Sequence, residues 1–275
     1  MVSGSGATAP DFSVEQAQRF AQHVAPTLVA VARRAVDLAE IQPGQTVLDV
    51  ATATGLAAFL AAERAERDGT VIGLDASPAL LAVAQQRATS VGYGHIRWQQ
   101  GDPAGLTFAD EAFDVVLCLQ ALMTFPRPDI VLEEARRVLV EGGRLVLTTW
   151  GARAENEWIG LVERALRRAI PPPLPALPFR LAQPGNLEAL LQAAGFEDVE
   201  GGRMLDRLRF QGADGLWEWV TATREWGPTL ATIPADAQQR ACEALSSLLA
   251  GRLRNGEVAI GREIIYVRAI APAGD

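Results

Sequence analysis

"TVLDVATATGLAAFLAAE", residues 46–63, decides the fold. Residues 46–50 are a short apolar run with the make-up of a buried strand. The run passes through a small-residue turn, 51–55, into an alanine-rich segment with strong helix propensity. A strand, a tight turn and a helix N-terminus form the part of an α/β protein that holds nucleotide-like ligands, because the first helical N–H groups point at the ligand. The dinucleotide pattern G-x-G-x-x-G, laid over this turn, puts Ala51, Ala53 and Leu56 at its glycine positions. A nicotinamide or flavin dehydrogenase loop therefore does not fit.

The alternation continues outward. "TVIGLD" (70–75), "HIRWQQ" (95–100), "FDVVLCLQAL" (113–122) and "RLVLTTW" (144–150) read as strands. Between them lie helical patterns, among them "SPALLAVAQQRATSV", with Ser77 as N-cap and Pro78 in its first turn. "PDIVLEEARRVLVEGG" (128–143) reads as a helix closed by its glycines. Strands alternating with helices of this length predict βαβ units, a parallel sheet covered on both faces, and ligand binding at the strand C-termini.

Before this core, residues 14–40 have helical spacing, with Pro26 opening a second helix. After it come a helix at 157–169, the proline-rich "PPPLPALPF", a helix in "PGNLEALLQAAGF", a strand in "RMLDRLRF", a helical stretch at 213–255 and a closing strand, "GREIIYVRAI". The expected organisation is a disordered tail (1–11) and one domain (12–275). That domain divides into an N-terminal helical cap (12–42), a core (43–150) and a C-terminal part (151–275) with a helical insert at about 211–255 before the last strand.

Composition narrows the partners. Net charge is −8 and no basic face stands out, so nucleic acid is not expected. The two cysteines suggest no disulfide framework, which fits the cytoplasm; Cys118 has the setting of a small buried hydrophobe. No apolar run reaches the roughly 20 residues of a membrane span. No His, Asp, Glu or Cys cluster has metal-ligand spacing, so no metal is expected.

Three acids fall at matching places: Asp49 near the end of the first strand, Asp75 at the end of the second and Asp102 after the third. In a parallel sheet all three share the ligand-binding edge. Asp75 lies about 20 residues beyond Gly55, where an acid meets the ribose hydroxyls of a bound nucleoside. A carboxylate there accepts two hydrogen bonds from a cis-diol.

The ordered set "VLDVATATG…VIGLDASPALLAVAQQRA…GDPAGLTFADEAFDVV…RVLVEGGRLVLTTW" resembles the class I S-adenosylmethionine-dependent methyltransferases. It is closest to the ubiquinone and menaquinone C-methyltransferase-like (methyltransferase type 11) branch. The resemblance implies a doubly wound, mostly parallel seven-stranded Rossmann-like sheet and S-adenosyl-L-methionine as cofactor. It also implies roles. Asp49, Ala51, Thr52, Ala53 and Gly55 would line the loop against the methionine portion. Asp75 would hold the ribose with Ala76 beside the adenine; Asp102 would bind the adenine amine with Pro103 next to the adenine ring, and Leu119 and Gln120 would flank the sulfonium end.

Two residues depart from the pattern. Ala53 replaces a glycine, which either narrows the loop or requires φ < 0. Pro103 removes an N–H that relatives aim at the adenine ring, leaving Ala104 or Gly105 to supply it through a shifted loop.

The acceptor is expected to be a small, lipophilic molecule methylated on O, C or N. There is no "NPPY" or "DPPF" after the fourth strand, where planar amino groups would be handled, and the acidic charge disfavours RNA. Gln120 and Trp150 are the candidate substrate contacts and His23 the candidate base, since an oxygen or carbon nucleophile needs one with a pKa near neutral. Trp158, Trp217, Trp219 and Trp226 read either as an aromatic lid or as the core of the insert. The chain is expected to act as a monomer or homodimer. The alternative is the same fold binding S-adenosylmethionine without transfer, as a cyclase, isomerase or ligand-binding module.

Overall fold

The computed structural model describes residues 12–171 and 180–273. The expected tail and nearly all of the proline-rich stretch lie outside them. Seven strands form one sheet: β1 (Thr46–Val50), β2 (Thr70–Asp75), β3 (Arg97–Gln100), β4 (Phe113–Leu119), β5 (Leu139–Trp150), β6 (Glu197–Gln211) and β7 (Glu257–Ile270). Their order is β3-β2-β1-β4-β5-β7-β6, with β7 antiparallel to both neighbours and the others in the first five positions parallel. Strand order reverses between β1 and β4, the crevice where open α/β sheets bind ligands.

The helices follow as α1 (Val14–Arg19), α2 (Val29–Ala39), α3 (Leu56–Ala65), α4 (Pro78–Val91), α5 (Pro128–Val138), α6 (Glu157–Ala169), α7 (Asn186–Ala193), α8 (Gly212–Ala222), α9 (Gly227–Ala231) and α10 (Ala235–Leu249). Ser77 caps α4, its Oγ accepting from the Leu80 N–H at 3.4 Å. In α3, Ala57, Ala58, Ala61, Ala62 and Ala65 are buried, and their short side chains let the helix lie close on the sheet. The insert before the last strand is α8 to α10. Among the described residues no helix is long and apolar enough to cross a membrane.

Several local expectations change: the strand expected over 113–122 stops at Leu119, the one expected over 95–100 starts at Arg97, and two further changes have a clear physical cause. The segment between α1 and α2 is a π turn (Phe20–Val24) followed by a 3₁₀ turn (Ala25–Leu28). Pro26 has no N–H to give an α-helical bond, and the path re-forms around it. Helix α5 ends at Val138, five residues before the expected glycine stop. Leu139 is already extended (φ −78, ψ 136) and pairs with Phe113, while the Ala112 N–H reaches the Val138 carbonyl. Sheet pairing takes this stretch from the helix, and the Gly142 N–H bonds the Ala271 carbonyl instead of capping.

Three of the four tryptophans read as lid or insert core, Trp158, Trp219 and Trp226, cluster with Trp150, while Trp217 is half-buried at the edge of the core. Trp158 meets Trp219 at 5.0 Å, Trp150 at 5.5 Å and Trp226 at 6.4 Å between ring centroids. Trp158, Trp219 and Trp226 are buried and weld α6, α8 and the segment before α9 together. Each removes roughly 200 Å² from water, on the order of 5 kcal/mol before entropy.

Thr27 fastens the N-terminal cap to this unit. Its carbonyl accepts from the buried Arg262 guanidinium at 2.6 Å, and its hydroxyl accepts from Trp219 Nε1 at 3.1 Å. Arg19 adds a bond to Thr221 Oγ1 at 2.7 Å.

Candidate functional site

A cavity opens at the β1–β4 crevice. One wall is the loop after β1. Asp49 is buried, and its Oδ2 accepts from Thr52 Oγ1 at 2.5 Å and from the Ala58 N–H at 3.0 Å. Gly55, at the N-cap of α3, has no side chain to satisfy the first helical N–H groups, so Asp49 does it from the strand. Burial pushes the Asp49 carboxyl up to about 7; the Asp75 charge adds to the rise, and the bonds from Thr52 and Ala58 oppose it.

The loop turns left-handed at every second residue, with φ 56 at Ala51, 50 at Ala53 and 84 at Gly55. The expectation that alanine at 53 narrows the loop or requires φ < 0 fails on its second branch. Ala53 keeps the glycine-like backbone, held by its N–H donating to Asp75 Oδ2 at 3.0 Å. Gly55 is the position where no side chain fits. A Cβ there would sit 2.6 Å from Trp98 Cη2 and 3.1 Å from Phe59 Cζ.

Asp75 is fully buried. Its Oδ1 accepts from the Ser77 N–H at 2.9 Å, and Arg224 Nη2 reaches the two oxygens at 3.3 and 3.2 Å. The guanidinium also lies 5.4 Å from the centre of the Phe12 ring. Both carboxylate oxygens thus face a donor from the cavity side, the arrangement that a cis-diol would also satisfy.

Asp102 and Ala76 are exposed at the same sheet edge, outside the cavity. Asp102 Oδ1 accepts from the Ala104 N–H at 2.9 Å, and its carbonyl from the Gly105 N–H at 3.1 Å. Both N–H groups expected to compensate for Pro103 are thus taken by Asp102 itself, because the Asp closes its own turn.

At the end of β4, Leu119 and Gln120 line the cavity. Gln120 is left-handed too, at φ 51. Its Nε2 donates to Thr148 Oγ1 at 3.1 Å, and its Oε1 is buried without a partner. Three non-glycine residues at positive φ around one cavity mark strain of the kind that gathers at binding sites.

The opposite wall comes from distant parts of the chain: Phe20, Val24 and Leu28 of the cap, Trp150 at the end of β5, Trp219 on α8, and Thr223 to Glu225 in the segment before α9. Trp150 Nε1 donates to Glu225 Oε1 at 3.3 Å. Burial pushes the Glu225 carboxyl upward; its own N–H, the Trp150 bond and the Arg224 charge oppose the shift.

His23 does not reach this cavity. Phe20 and Val24 take the inward positions of the π turn, and His23 Nδ1 lies 3.6 Å from Glu218 Oε2 on α8. Arg224 and Glu225 were not anticipated. The available signal was "TREW", a charged pair set between helical segments rich in tryptophan.

A family model described as a methyltransferase domain matches residues 41–193. Nocamycin O-methyltransferase of Saccharothrix syringae is 29% identical over 262 residues, covering 89% of this chain and 92% of its own. Demethylmenaquinone methyltransferase of Thermus thermophilus is 34% identical over 178 residues, 60% of this chain and 80% of its own. Among solved structures, the YcgJ protein of Bacillus subtilis superposes with a TM-score of 0.61 at 21% identity, covering 90% of this chain and all of its own. With the crevice, the strand-end acids and the family match in agreement, the chain belongs to the methyltransferase-domain family and is an S-adenosylmethionine-dependent methyltransferase.

Proposed function

We propose that this enzyme methylates a small, lipophilic molecule at O, C or N, bound in the aromatic half of the cavity. One observation carries the reading: a single crevice has the strained 51–53 loop on one side and Phe20, Trp150 and Trp219 on the other. S-adenosylmethionine supplies a methyl group on a sulfonium, an electrophile that needs no further activation. The residues that would hold it are Asp75 for the ribose, the loop at 51–55 for the methionine portion, Ala76 and Asp102 on the adenine side, and Leu119 with Gln120 near the sulfonium.

The chain's own work is then positional. The indoles of Trp150 and Trp219 present flat apolar faces to an acceptor and exclude water. Holding a nucleophile in line with its target contributes on the order of 7–11 kcal/mol. The two relatives named above, nocamycin O-methyltransferase and demethylmenaquinone methyltransferase, support a small-molecule acceptor. We place the reaction in the cytoplasm, in a monomer or homodimer.

The test has two steps. S-adenosylhomocysteine is titrated into the purified protein by calorimetry, and S-adenosylmethionine is then incubated with a panel of lipophilic phenols, quinols and amines. Micromolar binding followed by acceptor-dependent S-adenosylhomocysteine formation is the expected result. Tight binding with no product from any acceptor would favour a cofactor that is held and not consumed.

A further inference from the structure

We infer that Glu225 is the group that receives the acceptor's proton, and that the acceptor therefore carries an acidic hydroxyl, as a phenol or an enol does. This rests on the transferase reading above.

Placement comes first. The segment that carries Glu225 is fastened on both sides. Arg224 is held by Asp75, and Trp226 is buried against Trp158. Thr223 Oγ1 accepts from the Trp226 N–H at 3.3 Å, and the Gly227 N–H donates to the Thr223 carbonyl at 2.9 Å. Between these anchors Glu225 faces the cavity beside Trp150 and Trp219.

The carboxylate is poorly served there. A carboxylate offers about four acceptor positions, and the structure gives this one a single neutral side-chain donor, Trp150 Nε1 at 3.3 Å. The adjacent cation is spent on Asp75. A half-buried charge with so little compensation costs stability, which is the mark of a group kept for an incoming donor.

The other ionisable groups nearby are committed. Asp49, across the cavity, is bonded to Thr52 and Ala58, and Asp75 to Ser77, Ala53 and Arg224. On α8 and the cap, Glu218 faces His23, and Arg19 bonds Thr221. Burial also lifts the Glu225 carboxyl above its ordinary range, the direction that makes a carboxylate a better base.

The step balances. As the acceptor oxygen's electron pair forms the new C–O bond, its proton passes to a Glu225 oxygen. The C–S bond breaks with its pair remaining on sulfur, leaving a neutral thioether, and Glu225 returns the proton to water. An amine acceptor fits less well, because a neighbouring carboxylate favours the ammonium form, which is not nucleophilic.

The experiment compares wild type, Glu225→Gln and Glu225→Asp with a series of substituted phenols of graded acidity. Binding of each phenol is measured in the presence of S-adenosylhomocysteine, and turnover with S-adenosylmethionine. In Glu225→Gln, phenol binding should weaken roughly 10-fold or more. Turnover of weakly acidic phenols should fall roughly 10²-fold or more, with a smaller loss for phenols already ionised, while S-adenosylhomocysteine affinity stays unchanged.

Two readouts need no substrate. The ligand-free tryptophan fluorescence of wild type should titrate with Glu225, and Glu225→Gln should lose that inflection. The glutamine variant should also melt higher than wild type. A carboxyl raised by folding costs the folded state stability as pH climbs through its folded pKa, so the gain is largest above that inflection and shrinks below it.

Phenol affinity within twofold of wild type, or loss of S-adenosylhomocysteine binding in the glutamine variant, would overturn the inference. Phenol binding that depends on Glu225 in a wild type that forms no S-adenosylhomocysteine would support the contact and fail the transferase reading alone.

Discussion

The two walls of the cavity are built in different ways. The wall after β1 is made largely of backbone. Ala51 and Ala53 sit in left-handed conformations, their shape held by Asp49 and by the Ala53 N–H bond to Asp75. The facing wall is made of side chains, Phe20, Trp150, Trp219 and Glu225, carried by three stretches far apart in sequence. A backbone wall tolerates changes of side chain as long as the turn survives. A wall of side chains can be rebuilt for a new acceptor without disturbing the turn. A common methyl donor paired with varied acceptors calls for this division of labour.

The sharpest way to break the comparison is to strike the backbone wall at its acid. Asp75→Ala should weaken S-adenosylhomocysteine roughly 10²–10⁴-fold, since two hydrogen bonds to a charged acceptor are worth about 1.5–3 kcal/mol each. It should leave the tryptophan cluster intact by near-ultraviolet circular dichroism. An Asp75→Ala protein that binds the cofactor product normally would show that the acid serves the loop alone, through Ala53 and Ser77.

Within the loop, side-chain tolerance should stop at Gly55. Gly55→Ala combines a φ of 84 with a Cβ driven against Trp98 and Phe59, so it should cost about 3 kcal/mol in chemical unfolding. A change below 1 kcal/mol would mean that Trp98 can swing aside, and that the third glycine-type position is no more demanding than the other two.

This contrast also explains what the sequence could disclose. Asp49, Asp75 and the turn between them are local: each sits at a strand end, and strand ends follow from the alternation of apolar runs and helices. The placement of Leu119, Gln120 and Trp150 on the cavity follows from the same rule. Departures begin where tertiary partners compete. Leu139 left its helix because Phe113 was there to pair with. Ala104 and Gly105 lost their freedom to Asp102. His23 was the natural base on chemistry alone, yet the π turn just ahead of Pro26 gave Phe20 and Val24 the inward face. Arg224 and Glu225 belong to the wall assembled from distant segments, where no periodicity reports which side chain meets which.

A smaller test concerns the strain in the backbone wall. Alanine at φ 50 costs about 1 kcal/mol relative to glycine, which adopts that region freely. Ala53→Gly should recover part of it while enlarging the unfolded ensemble, for a net stabilisation of up to about 1 kcal/mol in thermal or chemical unfolding. Destabilisation instead would show that the methyl group packs productively against Phe12 and Leu80, its neighbours in the small cluster beneath the cap.

The least effect is expected from a residue that reaches from one wall to the other. Arg224 belongs to the side-chain wall yet spends its charge on Asp75 of the other. Asp75 is buried and already accepts from two N–H groups, whereas the Arg224 side chain is 22% exposed and its contacts are 3.2 and 3.3 Å, so the pair is worth about 1 kcal/mol or less. On the proposed reading a ribose diol takes over the same oxygens. Arg224→Gln should then raise the energy of the free protein without touching the complex, and tighten S-adenosylhomocysteine by roughly threefold to fivefold. The sign is what matters. Tighter binding would mean that the walls are coupled by a competitor that must step aside when the cofactor enters. Weaker binding would mean that Arg224 turns from Asp75 to the cofactor itself, and that the side-chain wall serves the donor as well as the acceptor.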